Sequence, residues 1–419
     1  MSAIISPWPY FAFMVLFLVV AHLLARVWPE GAARLNVPME SLRGLLATGV
    51  FFCHAVVTYF YFKTGTWQPP PSLFYGFLGS GTVDVFFFLS GFLFWSKCIS
   101  DDGVRGKKAF FAARARRIIP GYYASLVLIL LIVLAETGFS LRVRPAEFGL
   151  ELLVWLTFCI PNLLQPINGL QHAPLVNAAV IWTLQLEIVF YAILPFLYRV
   201  FKGYGVLAYL GILTGTFWSL GRIYSVQGAN WTEQPVPMLL ARFFAFGFGF
   251  GMLAAFLVSK CPKTWLEKLR ERRWSFIPIV FLASPVLLGV RAHSFFQFML
   301  LLVPFVFVVA GNDLFGLLSM RSTLLLGKAS YSFYVTHGIV LYGLSHLLNR
   351  WLPIAGLAPI SYWCFMGCCG IIAVCLSYFL YRNVEIRFMK KGSVLRQAGI
   401  RTRIPSASPP RSTASAPCN

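Results

Sequence analysis

Charge is what this chain has least of. Only 12% of its 419 residues are charged, about half the share found in soluble globular domains, and 14 Asp and Glu face 35 Lys and Arg. With 58% hydrophobic residues and a mean hydropathy of +0.73, a soluble globular protein is excluded. No stretch longer than roughly 40 residues is free of apolar windows, so a separate soluble domain has no room to fold. Metal-binding patterns are missing as well: there is no CxxC pair and no His/Cys spacing suited to zinc. The nine cysteines (53, 98, 159, 261, 364, 368, 369, 375 and 418) lie mostly inside apolar windows, where free Cys serves as a small packing residue. The first window, 8–28, lacks a basic leader and a small-residue cleavage site, so it reads as a retained helix and the mature chain as starting near Met1. Internal repeats and a carboxyl-terminal lipidation box are also absent. The formal charge of +21 would suggest nucleic acid in a soluble chain. Here the basic residues sit between apolar windows, where they orient helices in a lipid bilayer, and nucleic acid is not an expected partner.

What is present is hydrocarbon-length apolar sequence. Twelve windows near the ~20 residues that span a bilayer as a helix run at about 8–28, 44–62, 73–96, 119–139, 149–165, 183–201, 204–221, 239–258, 275–290, 295–311, 331–349 and 361–381. Three basic clusters, 97–117, 260–273 and the tail from Arg382, hold 21 of the 35 Lys and Arg and are expected in the cytoplasm. Loops on one side are separated by even numbers of crossings, yet five windows lie between the first two clusters. One of them therefore does not cross. The 149–165 window, which contains Glu151 and breaks at Pro161, is expected to be re-entrant or interfacial. The reading is an all-α polytopic membrane protein of about 11 transmembrane helices, N-terminus outside and C-terminus cytoplasmic. Residues 1–35 supply an extra N-terminal transmembrane helix and linker, 36–391 the main membrane domain, and the Ser/Pro/Arg-rich 392–419 a disordered cytoplasmic tail.

An ionisable side chain inside hydrocarbon costs about 2.5 to 3.5 kcal/mol on insertion scales, so each needs a partner or a purpose. Three are deep. His54 follows Arg43 by eleven residues, which at roughly 1.5 Å and 100° per residue places it ~16 Å up the same helix face. Asp84 and Glu187 lie ~18 and ~21 Å up their own helices by the same arithmetic. Polar stripes at helical spacing, Thr183/Glu187/Tyr191 and Ser330/Tyr334/His337, are expected to line a cavity rather than face lipid. A His beside a carboxylate in a water-poor cavity has the makings of a general base; the same groups serve equally as interhelical locks. His337 either lines the channel or supports packing. His22 and His346 read as structural, His293 as a solvated loop residue, and His172 as a candidate acceptor contact. The Phe/Gly run 246–251 imitates a dinucleotide fingerprint without the strand it needs, so it reads as close helix packing. Asn230-Trp231-Thr232 is a formal glycosylation sequon on the outer side, meaningful only in a eukaryotic secretory membrane.

Taken in order, several motifs resemble the acyltransferase-3 family of integral membrane O-acyltransferases. They are Arg43 and His54 with ten residues between them, GTVDVFFFLSGF at 81–92, the basic helix start FFAARARRIIPGYY, WTLQLEIVFYAILP at 182–195, LGKASYSFYVTHGIVL, and a final YRNVE. The resemblance implies a ten-helix bundle, here with one extra N-terminal helix, in a bacterial cytoplasmic membrane. It implies transfer of an acyl group, by default acetyl, from acyl-coenzyme A on the cytoplasmic side to a hydroxyl of a carbohydrate or glycan acceptor. By the same resemblance His54 is the catalytic histidine, with Glu187 and Asp84 at the family's acidic positions. Arg43 with Arg114, Arg116 and Arg117 would hold the coenzyme phosphates, Ser90 and Gly91 form the tight SGF turn, and Ser90, Tyr191, Tyr334 and His337 face the substrate channel. Many members append an extracytoplasmic esterase-like domain. This chain shows none, so transfer is expected to be completed by the bundle or by a separate extracytoplasmic transferase partner.

Acyl transfer from a thioester needs a base, an oxyanion stabiliser and alignment, and no metal. His54 would take the acceptor proton, Glu187 or Asp84 would orient the imidazole, and the arginines would clamp the donor. A rival class is proton-coupled transport through the same His/Asp/Glu groups, which predicts inverted repeats that the sequence does not display. A structural or sensory membrane protein would have no use for a basic site beneath a buried histidine.

Overall fold

The computed structural model describes residues 3–27, 37–100, 107–160, 165–201 and 240–389, with 205, 207–211, 214, 215 and 218 between them. The proposed tail and the 230–232 sequon lie outside the described residues. Within them the chain is all-helical, with no strand beyond one isolated bridge between Ile167 and Leu170.

Seven helical segments are long and apolar enough to cross a membrane, so this is a multi-pass membrane protein. They are α1 (Trp8–Val27), α2 (Val37–Thr64), α3 (Leu73–Ser100), the apolar part of α4 (Lys107–Glu136), most of α6 (Ile181–Phe201), α7 (Gly249–Lys260) with the π-helical turn Phe243–Phe248 before it, and α13 (Pro359–Leu380) with the π-helical turn Tyr381–Glu385 after it. Four windows expected to cross fall outside that set. The 204–221 window is only partly described. Helix α9 (Phe276–Leu287) contains Pro285 and stops after twelve residues, and α10 (Phe295–Ala310) has sixteen. Helix α12 (Ser330–Asn349) is long enough but carries Ser330, Ser332, Tyr334, Thr336 and His337, all buried in protein, which lowers its hydropathy. The 149–165 window yields α5 (Pro145–Leu156), twelve residues or roughly 18 Å, too short for a ~30 Å core. Two short helices, α8 (Lys263–Arg270) and α11 (Arg321–Lys328), lie between the longer ones.

Helix α1 shows how hydropathy and packing part company. Trp8, Phe11, Val15, Val19 and Leu23 are exposed on its outer face, while Met14, Phe17 and Ala21 are buried. Phe17 fits against Gly370 of α13, where an added Cβ would lie 1.9 Å from the ring. Helix α2 is central instead, buried almost continuously from Leu46 to Tyr59.

Two glycine contacts hold the working helices at backbone distance. At Gly327 of α11 a Cβ would fall 1.9 Å from the Glu40 carbonyl oxygen, and at Gly44 of α2 it would fall 2.5 Å from the Gly327 nitrogen. The start of α2, and Arg43 with it, is thereby fixed. Between α3 and α7, Cβ atoms on Gly91 and Gly251 would stand 2.2 and 2.1 Å from the carbonyl oxygens of Phe248 and Phe88. Ser90 and Gly91 are therefore inside a continuous helix and not at a turn. The missing side chain serves close helix contact, and the Phe/Gly run does the same from the opposite side.

Candidate active site

Helices α2, α3, α4, α6 and α12 enclose a narrow cavity of about 80 Å³. Its polar lining is Arg43 from α2, Ser90 from α3, Arg114 and Arg117 from α4, Thr183, Glu187 and Tyr191 from α6, and Ser330 and Tyr334 from α12; apolar walls come from residues such as Phe86, Phe87 and Leu184. Arg114 and Arg117 are three apart and share a helix face, whereas Arg116 points elsewhere on α4 and is not part of the lining. Among the lining residues three guanidiniums thus face one carboxylate, with Glu385 and Glu40 also within electrostatic reach of Arg43.

Glu187 is held from two sides. The Ser90 hydroxyl donates to it at 2.8 Å and Tyr191 donates from the next turn of α6. Arg114 lies over the Phe94 ring, 4.6 Å from its centroid. Both arginine Nε atoms, of Arg43 and Arg114, are buried with no hydrogen-bond partner among the described residues, and so is the Ser330 hydroxyl. Buried donors left unmet are costly, so a cavity carrying several has the chemistry of an anion site.

His54 is not in that cavity. Helices α2 and α12 run side by side in the same direction, as the contacts of His54 with His337 and of Phe62 with His346 require. His54 Nδ1 lies 2.9 Å from His337 Nε2, and the rings lie edge to edge and nearly coplanar, with centroids 5.2 Å apart and planes at 13°. His337 is fully buried and bonded through Nδ1 to the carbonyl oxygens of Tyr334 (2.9 Å) and Phe333 (3.2 Å). Tyr334 is the link: it lines the cavity, pairs with Thr183 at 2.9 Å, and its ring stands 6.0 Å from that of His337. On its other side His54 meets Trp67, with ring centroids 5.9 Å apart, and Trp67 meets Tyr61 at 5.8 Å.

The carboxylates expected beside His54 are bonded elsewhere. Asp84, fully buried, pairs with His293 Nδ1 at 2.6 Å and with Gln297 at 2.7 Å. His293, read from the sequence as a solvated loop residue, is only 2% exposed. Its loop position concealed it, because nothing local distinguishes a loop that returns into the bundle. His172 binds Glu136 at 3.1 Å, which also accepts from Tyr342, and His346 stacks on Tyr342 at 3.9 Å. The sequence reading missed Glu385. This residue, in the YRNVE segment, is 2% exposed and accepts from Ser332; an acidic residue ending an apolar helix was the available signal. Among the described residues no group of three or more His, Cys, Asp or Glu is arranged to hold a metal ion.

Comparison with known proteins supplies the family. Residues 36–382 match the model of a family described as an acyltransferase domain. The chain belongs to the acyltransferase-3 family. This acyltransferase is also 29% identical over 278 residues to the exopolysaccharide production protein ExoZ of Rhizobium meliloti (strain 1021), covering 62% of the present chain and 76% of ExoZ. No solved structure matches the acyltransferase. The family match begins just before α2 and ends in the π-helical turn after α13, so it takes in every residue of the cavity and the histidine pair and leaves out α1.

Proposed function

We propose that the enzyme moves an acetyl group from acetyl-coenzyme A, supplied from the cytoplasm, to a hydroxyl of a polysaccharide acceptor. The observation that carries this reading is the arginine-lined cavity, with Nε atoms on Arg43 and Arg114 that have no partner among the described residues, lying one tyrosine away from a hydrogen-bonded histidine pair. Arginine forks suit phosphate oxygens, and the donor carries several. Arg43, Arg114 and Arg117 hold its phosphates, and the thioester arm reaches past Tyr334. The acceptor approaches from the Trp67 side, where partly buried aromatic rings offer a flat surface to a sugar. His54 takes the proton of the acceptor hydroxyl. The hydroxyl oxygen forms the new C–O bond with the thioester carbonyl carbon as the C–S bond breaks, and the leaving thiolate takes the proton back.

The polysaccharide class follows from the name of the relative and the sidedness from the basic clusters. On this reading the bundle crosses eleven times in a bacterial cytoplasmic membrane, 36–391 forms the catalytic domain, and the tail is cytoplasmic. A separate extracytoplasmic transferase is not required, because base and donor site belong to one bundle. Proton-coupled transport has less support: His54, Asp84 and Glu187 each bond to a different partner and form no continuous relay among the described residues.

The test uses inside-out membrane vesicles loaded with surface polysaccharide from the producing cells, with radiolabelled acetyl-coenzyme A added outside. Label should enter the polysaccharide, and His54→Ala, in protein that still inserts, should lower the rate by roughly 100-fold or more. Undiminished transfer by that variant rejects His54 as the base.

A further inference from the structure

A general base needs an orienting partner, and in the familiar triad it is a carboxylate. Among the described residues none bonds to His54. We infer that His337 is the positioning residue, holding His54 in the tautomer whose Nε2 carries the lone pair and sharing the proton that His54 removes. This inference rests on the reading of His54 as the base.

Donors and acceptors along the two rings assign the hydrogens. His337 Nδ1 faces two backbone carbonyl oxygens, at 2.9 and 3.2 Å. Carbonyl oxygens only accept, so Nδ1 carries hydrogen. A neutral His337 then has its lone pair on Nε2. A charged one would be a buried cation in the membrane interior with no carboxylate bonded to it, the costly case. His337 Nε2 is 2.9 Å from His54 Nδ1, so His54 Nδ1 donates and His54 Nε2 is left as the bare nitrogen. One helical turn of α12 backbone thus fixes the tautomers of two rings in series.

The same chain stabilises the product of proton removal. When His54 Nε2 gains the acceptor's proton, its Nδ1–H already points at a basic nitrogen. Passing that hydrogen to His337 Nε2 moves the positive charge to a ring whose Nδ1–H lies against two carbonyl dipoles. The near-coplanar arrangement, 13° between planes, aims the N–H of one ring at the lone pair of the other. A neutral partner also avoids burying a permanent carboxylate in the resting enzyme, a cost that a charged pair offsets only with excellent geometry.

The experiment compares His337→Phe, which keeps a ring and removes the acceptor, with His337→Gln, whose amide oxygen accepts from His54 but takes no proton. Rates are measured in membranes with acetyl-coenzyme A and polysaccharide each varied, and the full-length protein is labelled with 15N-histidine for NMR in detergent. His337→Phe should lower kcat roughly 100-fold or more while both half-saturation values stay within about threefold. His337→Gln should recover at least tenfold of that loss, and the 15N signals of the parent should place the His54 lone pair on Nε2. Turnover by His337→Phe within threefold of the parent overturns the inference, as does a His54 signal showing Nε2 protonated. If His54→Ala itself transfers normally, the base assignment fails first. If His54→Ala is inactive while His337→Phe is not, only the positioning role fails.

Discussion

Asp84 Oδ1 lies 2.6 Å from His293 Nδ1, and both side chains are almost completely buried. The pair joins α3 to the loop before α10, and Gln297 completes it by donating to the other carboxylate oxygen at 2.7 Å. Asp84 thus bonds across helices and not to the proposed base.

Asp84→Asn should therefore act on stability. Removing the charge while keeping a hydrogen-bonding group should cost about 1–3 kcal/mol, seen as a lower melting temperature of detergent-purified protein. Acyl transfer per folded molecule should stay within about threefold. A roughly 100-fold loss of turnover with melting unchanged would return Asp84 to the chemistry.

The arginines divide by helix face. Arg114→Gln or Arg117→Gln should raise the half-saturation concentration of acetyl-coenzyme A about 10- to 100-fold, the equivalent of a lost charge-assisted hydrogen bond of about 1.5–3 kcal/mol. Arg116→Gln should leave it within twofold, because Arg116 does not line the cavity. Equal effects of all three variants would mean that the basic run acts as a diffuse field and not as a site.

Backbone contact at the foot of α2 has its own signature. Gly327→Ala would place a methyl 1.9 Å from the Glu40 carbonyl oxygen, forcing α11 from α2 at a cost of about 1–3 kcal/mol and displacing Arg43. Reduced membrane insertion, with weaker donor binding in what does insert, is expected. Gly76→Ala is the control: a Cβ there meets nothing within 4 Å, and replacing a helical glycine should stabilise by roughly 0.5–1 kcal/mol. Thermal unfolding of both variants checks the contrast.

Outside the membrane-spanning segments, Asp313 ties the loop after α10 to Arg272 at 2.8 Å, with Ser319 and the Gly316 amide also bonded to it. The Arg272 guanidinium holds the Asp313 carboxyl below its ordinary value of 3.8. A lowered folded-state value means that the contribution is present above that ordinary value and is lost as pH falls through the folded one. The parent should thus melt higher than Asp313→Asn at pH 6, and the difference should shrink as pH drops below about 4. A difference that is constant across this range would exclude the ion pair as its source.

Much of the site could be read from spacing alone. Thr183, Glu187 and Tyr191 share a face because they are four apart, and all three line the cavity, as do Arg114 and Arg117 at a spacing of three. Such regularity is a property of one helix, so the sequence contains it. Which helix meets which is another matter. His54 could be placed at mid-membrane by counting residues, but its partner 283 positions away could not, because depth is one coordinate and contact needs three.

The sequence by itself determined that this chain lives in a bilayer, which of its helix faces are polar, and its family, since apolar length, helical period and motif order are local or linear properties. Only the tertiary structure decided that Asp84 bonds to His293, that Arg116 lies outside the cavity lining, and that the His337 imidazole bonds to His54. Those outcomes depend on the rotation of each helix about its axis. Close contacts at Gly44, Gly91, Gly251 and Gly327 set that rotation, and they involve residues far apart in the chain.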